Sequence, residues 1–376
     1  MKNKLPPLVI GDLKIDIPII QGGMGVKVST AALAGAVANC GGAGTIASVG
    51  LAYGTNEMTK TYTDFSNCAL KKEIHQAKKI SKGVVGVNIM VALTNYEEMV
   101  KTAVKEKVDF IASGAGLPLK LPEFTRGSSV KLIPIVSSAR AAGIIFKRWK
   151  TRYKRLPDAI IVEGPMAGGH LGFRMKDLKE NKADCLEKLV ADVLNVIEAY
   201  RTEQDADIPL IAAGGIFDGK DVAKFLKLGA KGVQLGTRFV TTIECPVSDR
   251  FKRLYIAAGK EDIILIESPV GMPGRAIKTA FINKIKNGKK IPFKCTYKCL
   301  QCCDVKNVPY CMAEALCNAI TGNFENAVVF AGSNVARIKE IIPVKELIDT
   351  IIDETIKEFN NIDKKNVYIY SAIRRF

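Results

Sequence analysis

Short, unbroken apolar runs alternate with amphipathic stretches through the first two thirds of the chain. The runs fall at residues 18–21, 44–48, 84–89, 110–113, 132–137, 159–162, 209–213 and 232–235. Apolar character that is continuous rather than alternating belongs to parallel strands covered on both faces. Helical spacing marks the segments between them. Residues 29–38 open with a Ser/Thr cap, and 95–106 set Tyr96, Met99, Val100, Ala103 and Val104 on one face. Residues 185–200 are amphipathic, and 219–228 end at Gly229, a common C-terminal stop. Eight strand–helix units in one run predict an α/β fold, a closed (β/α)8 TIM barrel. An open doubly wound sheet is the alternative.

Two segments exceed what such a barrel needs. Residues 51–82, after the second strand, read as a helical insertion, with a helix through 70–80 that leaves His75 on the surface among lysines. Residues 246–376 read as a mostly helical extension able to cap the barrel mouth, with irregular Gly/Pro stretches near 269–275 and 287–292. The expected organisation is a barrel domain over 1–245 and an extension over 246–376, Cys-rich at 295–317.

Composition narrows the setting. A chain of 376 residues that is 48% hydrophobic can bury a substantial core. No apolar run reaches the roughly 18 residues that span a bilayer, and the first residues carry no apolar signal region. The ten cysteines are not spaced as a small disulfide scaffold. A cytoplasmic protein with reduced thiols is expected, with no membrane partner. The formal net charge of +17 favours acidic partners. Its densest run, residues 147–155, reads as a solvated helix face. No nucleic-acid module is recognisable, so no nucleic-acid partner is expected.

The most informative stretch is 159–172, where a strand runs into a glycine-rich loop. His170 there is one of two histidines in the chain. Glycines flanking it allow close backbone approach to a ligand, and imidazole exchanges protons near neutral pH. A histidine just past a strand end suits general acid–base chemistry. Active sites of these barrels lie at the C-terminal strand ends. Gly22, Gly23 and Met24 follow strand one, Asn88 interrupts strand three, and Ser137 and Ser138 follow strand five. Gly214 and Gly215 follow strand seven, and Gly236 and Thr237 follow strand eight. Phosphate sites commonly use those last two loops, which predicts a phosphate-bearing ligand.

These residues resemble the nitronate monooxygenase family, formerly 2-nitropropane dioxygenases, which also holds FMN-dependent enoyl-acyl-carrier-protein reductases. The likeness rests on the stretches at 18–25, 86–90, 167–170, 212–216 and 234–239, in that order, and spans roughly 8–345. It implies a TIM barrel binding FMN without a covalent bond. Carried over, Gly22, Gly23, Met24, Asn88, Glu163, Gly168, Gly169, Gly214, Gly215, Gln234, Leu235, Gly236 and Thr237 contact the cofactor, and His170 is catalytic. At Glu163, relatives carry glutamine or a similar polar residue.

The leading reading is oxidation of an alkyl nitronate with O2 to a carbonyl compound and nitrite. The alternative is an NAD(P)H-dependent enoyl-acyl-carrier-protein reductase or related flavin oxidoreductase, for which an acidic acyl carrier protein is the partner. A third reading is a non-catalytic flavin- or nucleotide-binding regulator, against which His170 speaks. A homodimer is left open. Cys295, Cys299, Cys302, Cys303 and Cys311 follow no established metal spacing, so free thiols are expected and no metal is assigned. An iron–sulfur cluster there would point to electron transfer.

Overall fold

Each of the eight apolar runs forms a parallel strand in the computed structural model, which describes residues 5–53, 61–204, 207–295 and 297–373. Two short strands, β1 (Leu8–Ile10) and β2 (Leu13–Ile15), precede them as an antiparallel hairpin. The barrel strands are β3 (Ile19–Gln21), β4 (Gly44–Ala47), β5 (Val85–Met90), β6 (Phe110–Gly114), β7 (Lys131–Val136), β8 (Ile160–Glu163), β10 (Leu210–Ala213) and β11 (Gly232–Leu235). A two-residue strand, β9 (Gly169–His170), lies outside the ring. Neighbouring strands pair in sequence order, β11 pairs β3, and a bridge between Ile20 and Ala43 closes the circle. The sheet is thus a closed barrel and not the open alternative.

The barrel interior explains why the strands read as continuous apolar runs. Ile20, Ala43, Phe110, Ala112, Ile133, Ala159, Ile161, Ile211 and Ala213 point inward and are buried. The opposite side chains, among them Ile46, Val87, Ile111, Leu132, Ile160, Val162 and Leu210, pack under the helices. Leu8, Ile10 and Ile15 of the hairpin join the inner cluster. The hairpin therefore plugs the N-terminal end of the barrel, a part of the fold the apolar runs do not announce.

The helices are α1 (Ala31–Asn39), α2 (Tyr62–Ile80), α3 (Tyr96–Lys105), α4 (Leu121–Phe124), α5 (Ala139–Tyr153), α6 (Met175–Lys179), α7 (Leu186–Gln204), α8 (Gly219–Lys227), α9 (Thr237–Val240), α10 (Asp249–Ala257), α11 (Ala280–Lys286), α12 (Met312–Thr321) and α13 (Val344–Ile373). The helix expected after the second strand is α2. It packs between α1 and α3 and so fills the second helix position of the ring. Residues 54–60 of that connection lie outside the described residues. The Ser/Thr cap expected on α1 is replaced. Thr30 makes no side-chain cap bond, and Glu73 of α2 accepts the Ala31 N–H at 2.7 Å. Ser29 turns inward instead and serves the site.

Beyond β11 the chain leaves the ring and later returns. Residues 241–343 carry α10 to α12 and three strands, β12 (Ile263–Glu267), β13 (Pro273–Ile277) and β14 (Val329–Phe330). Helices dominate this extension, yet its strands form an antiparallel sheet with β9 that the hydrophobic pattern does not predict. Finally α13 packs against α8 and α1 and completes the helix ring. Residues on both sides of 245 thus build the barrel. No helix among the described residues is long and apolar enough to cross a membrane.

Candidate active site

The C-terminal strand ends and the capping sheet enclose a cleft of about 450 Å³. That lies in the ~300–1,000 Å³ range of cofactor and small-molecule sites. Fourteen residues singled out from the sequence line it: Gly22, Gly23, Met24, Asn88, Glu163, Gly168, Gly169, His170, Gly214, Gly215, Gln234, Leu235, Gly236 and Thr237. Ser137 and Ser138 line it too. His75 stands apart, exposed on α2 and paired with Glu106.

The loop after β3 is held from below by two polar side chains. Buried Gln21 accepts the Thr45 N–H at 3.0 Å and donates to Ser29 Oγ at 2.7 Å. Ser29 Oγ in turn accepts the Met24 N–H at 2.9 Å and donates to the Gly22 carbonyl at 3.1 Å. Gly23 sits hard against β5, where an added Cβ would fall 2.3 Å from Asn88 Cβ. Glycine there is a steric requirement.

The loops after β10 and β11 form the anion-favouring end. Gly214 and Gly215 take φ of +89° and +96°, which L side chains rarely adopt. Thr237 opens α9, but its hydroxyl accepts the N–H of Gly332 in the cap at 2.9 Å. Three polar groups around the cleft lack protein partners among the described residues: Gln234 Oε1, Arg238 Nε and the Glu163 carboxyl. The Arg238 guanidinium lies on the Phe217 ring, 4.4 Å from its centroid. Unsatisfied polar groups in a closed site are costly unless a ligand meets them. Positive-φ glycines, a cation and orphaned polar atoms around one cleft fit a phosphorylated, ring-bearing cofactor such as FMN.

His170 reaches the cleft on β9, which pairs with β13 through Gly274. Its Nε2 lies 2.7 Å from Ser268 Oγ, and its ring meets Phe330 edge-on at 4.9 Å. Burial among these groups lowers its pKa to about 4. Arg275 of β13 donates to the carbonyls of Pro165 and Ala167 and so fixes the loop that presents the histidine. Burial alone drives the Glu163 carboxyl in the other direction, up to about 7. Ser268, Arg275 and Phe330 come from the cap, roughly a hundred residues or more from His170, and no local pattern signals them.

The cysteine-rich strap crosses the mouth. Leu300 bridges Leu93, and Thr94 N–H donates to the Cys299 carbonyl at 3.1 Å. Cys299 lines the cleft and accepts the Tyr53 hydroxyl at 3.1 Å. Burial raises the pKa of the Cys299, Cys303 and Cys311 thiols, and neighbouring cysteines of the strap add to the shift. Among the described residues no three metal-ligating side chains are arranged to hold an ion. The basic run of α5 lies elsewhere. Arg155 donates to Val130 at the start of β7, which puts that end of α5 on the far face of the barrel from the cleft.

Comparison with known proteins adds to this geometry. The nitronate monooxygenase family model matches residues 7–354. A Staphylococcus aureus protein named probable nitronate monooxygenase is 28% identical, over 76% of this chain and 80% of its own. A Mycobacterium tuberculosis protein named (3aS,4S,5R,7aS)-5-hydroxy-7a-methyl-1-oxo-octahydro-1H-indene-4-carboxyl-CoA dehydrogenase is 30% identical, over 73% of this chain and 67% of its own. The solved structure of FabK from Thermotoga maritima superposes with a TM-score of 0.70 at 29% identity, covering 94% of this chain and 96% of that one. A nitroalkane oxidase from Streptomyces ansochromogenes shares the fold with a TM-score of 0.72 at 20% identity, covering 93% of this chain and 98% of that one.

Proposed function

Because the chain belongs to the nitronate monooxygenase family, we propose that this oxidoreductase binds FMN in the cleft and oxidises an alkyl nitronate with O2 to a carbonyl compound and nitrite. The observation that carries the reading is His170. It is held neutral by burial, with Nε2 on Ser268 and Nδ1 without a partner among the described residues. FMN, when bound, supplies a two-electron acceptor that O2 can turn over.

The chain's own part is binding and proton handling. Gly214, Gly215 and the start of α9 offer backbone N–H groups to the phosphate, with Arg238 nearby. Gly22, Gly23 and Met24 supply a flat backbone shelf, and the cap excludes water. An imidazole that is neutral above about pH 4 has a lone pair to accept the α-proton of a neutral nitroalkane, giving the nitronate. The same burial makes it a weaker base than a solvated histidine. A hydroxyl both donates and accepts. Ser268 therefore keeps its bond to Nε2 whichever ring nitrogen carries the proton.

A second reading, reduction of an enoyl thioester by NAD(P)H, has one observation of its own. Between residues 284 and 306 the strap carries seven lysines against a single acid, Asp304. This basic surface adjoins the cleft, as an acidic carrier would require. The coenzyme A thioester in the name of the Mycobacterium tuberculosis relative is compatible with a thioester substrate. Anaerobic mixing separates the readings. Bleaching of the flavin by a nitronate and not by NADH or NADPH supports the monooxygenase. Bleaching by NAD(P)H alone moves the assignment to the reductase. Purified protein that binds no flavin defeats both.

A further inference from the structure

Glu163 ends β8 and is the only acidic side chain among the described residues lining the cleft. Its position is unusual for a carboxylate. Its strand partner on β10 is the apolar Ala213, while on the other side β7 ends at Val136, which pairs with Val162, so no β7 residue pairs with Glu163 itself. No hydrogen bond or ion pair among the described residues reaches its carboxyl. The other titratable groups on the cleft wall are Tyr53, His170, Arg238, Tyr255 and Cys299, and none of them acts on its ionisation. The exposed part of the side chain faces the cleft.

A carboxyl in this setting has one inexpensive form. An ionised carboxylate would be buried without a counter-charge, and that costs several kcal/mol in a dry site. The neutral acid loses far less and retains one O–H donor. Desolvation, the only force acting, keeps the proton on up to about pH 7. Isoalloxazine carries carbonyl oxygens and ring nitrogens that accept hydrogen bonds. A neutral acid complements such an acceptor and a carboxylate repels it; the ring's single N–H, at N3, is the one group a carboxylate would suit.

We propose that Glu163 meets the bound flavin as a neutral carboxylic acid donating a hydrogen bond to an acceptor on its ring system, so that ionisation of this one side chain loosens the cofactor. This rests on the flavin reading above and adds a pH-gated affinity to it. Glutamine at this position donates the same bond from a carboxamide that does not ionise. The glutamate thus trades a fixed donor for a titratable one.

The test is FMN affinity, read by quenching of flavin fluorescence, for the flavin-stripped full-length protein between pH 5.5 and 9. Wild type should bind with a constant Kd below about pH 7 and lose about tenfold per pH unit above it, as one linked proton requires. Riboflavin should show the same rise, which removes the phosphate as its source. Glu163→Gln should hold the low-pH affinity across the range. Glu163→Ala should bind roughly tenfold more weakly at low pH, the worth of one hydrogen bond. A wild-type Kd that is flat to pH 9, or one that rises equally in Glu163→Gln, overturns the proposal while leaving the flavin site intact. Wild type that fails to bind FMN even at pH 6 overturns the flavin reading and this one with it.

Discussion

Arg275 is the cap's hold on the loop that carries His170, and its removal has a calculable cost. Replacing it by methionine keeps most of the aliphatic stem and deletes the guanidinium. The carbonyls of Pro165 and Ala167 then lose their donor. A buried acceptor left unsatisfied costs roughly 1–3 kcal/mol, so two cost about 2–6. Part is returned, because burial already disfavours this cation and draws its pKa down. A net loss of about 2–3 kcal/mol is expected, a roughly 30- to 150-fold fall in the folding constant. Trp149, the single tryptophan, is fully buried in α5 and donates to Pro118 at 3.1 Å. Its fluorescence in urea therefore reports the barrel's unfolding. The loop carrying His170 should loosen as well, lowering kcat about tenfold or more with FMN affinity little changed. Arg275→Lys should fall between. A stability loss under about 0.5 kcal/mol together with unchanged kcat would refute the clamp.

Other consequences are as direct. His170→Asn should retain bound flavin, seen in its absorbance bands, and lose about 10²–10⁴ in turnover; full activity would remove the histidine from the chemistry. Gly23→Ala drives a methyl into Asn88. It should cost about 1–3 kcal/mol and weaken FMN at least tenfold by displacing the loop after β3, as isothermal titration would show. His170 and Glu163 also pull stability in opposite directions with pH. The histidine's folded pKa of about 4 lies below its ordinary value of about 6.5, so its contribution is present above 6.5 and fades toward 4. The glutamic acid's folded pKa of about 7 lies above its ordinary 4.5, so its contribution is present below 4.5 and fades toward 7. Between pH 4.5 and 6.5 the two offset. In urea titrations Glu163→Gln should lose stability on acidification across that window and His170→Asn should gain it; identical slopes in both variants and wild type would contradict this.

The barrel was legible because parallel strands buried on both sides leave an unmistakable mark. Ile160, Ile161 and Val162 are apolar in sequence since one side of the strand fills the barrel and the other lies under helices. The strand-end glycines were legible for a related reason: positions such as Gly214 and Gly23 tolerate nothing larger. What stayed hidden depends on partners distant in sequence. Nothing near residue 170 indicates that a two-residue strand there joins a sheet with β13, or that Ser268 and Phe330 flank the imidazole. The hairpin at 8–15 is too short for its alternation to stand out. Thr30 looks like a helix cap by type, yet Glu73 takes the role because α2 lies alongside. The basic run at 147–155 reads as a solvated helix face, but only the direction of α5 reveals that its end lies away from the cleft.

The return of α13 to the ring sets an order on how this protein can be made. Strand β11 and the helix that completes its unit are separated by the whole cap. At a synthesis rate of roughly 5–20 residues per second, about a hundred residues of cap take roughly 5–20 s to emerge. Throughout that interval the faces of α8 and α1 that α13 will cover remain open, including the start of α8 at Gly219, which packs against Ile351 and Glu354. A nascent barrel with its last stave missing is therefore an obligatory stage of biogenesis. Its exposed seam is where a chaperone would engage the chain, and where a ribosome stalled in the cap would leave an aggregation-prone product.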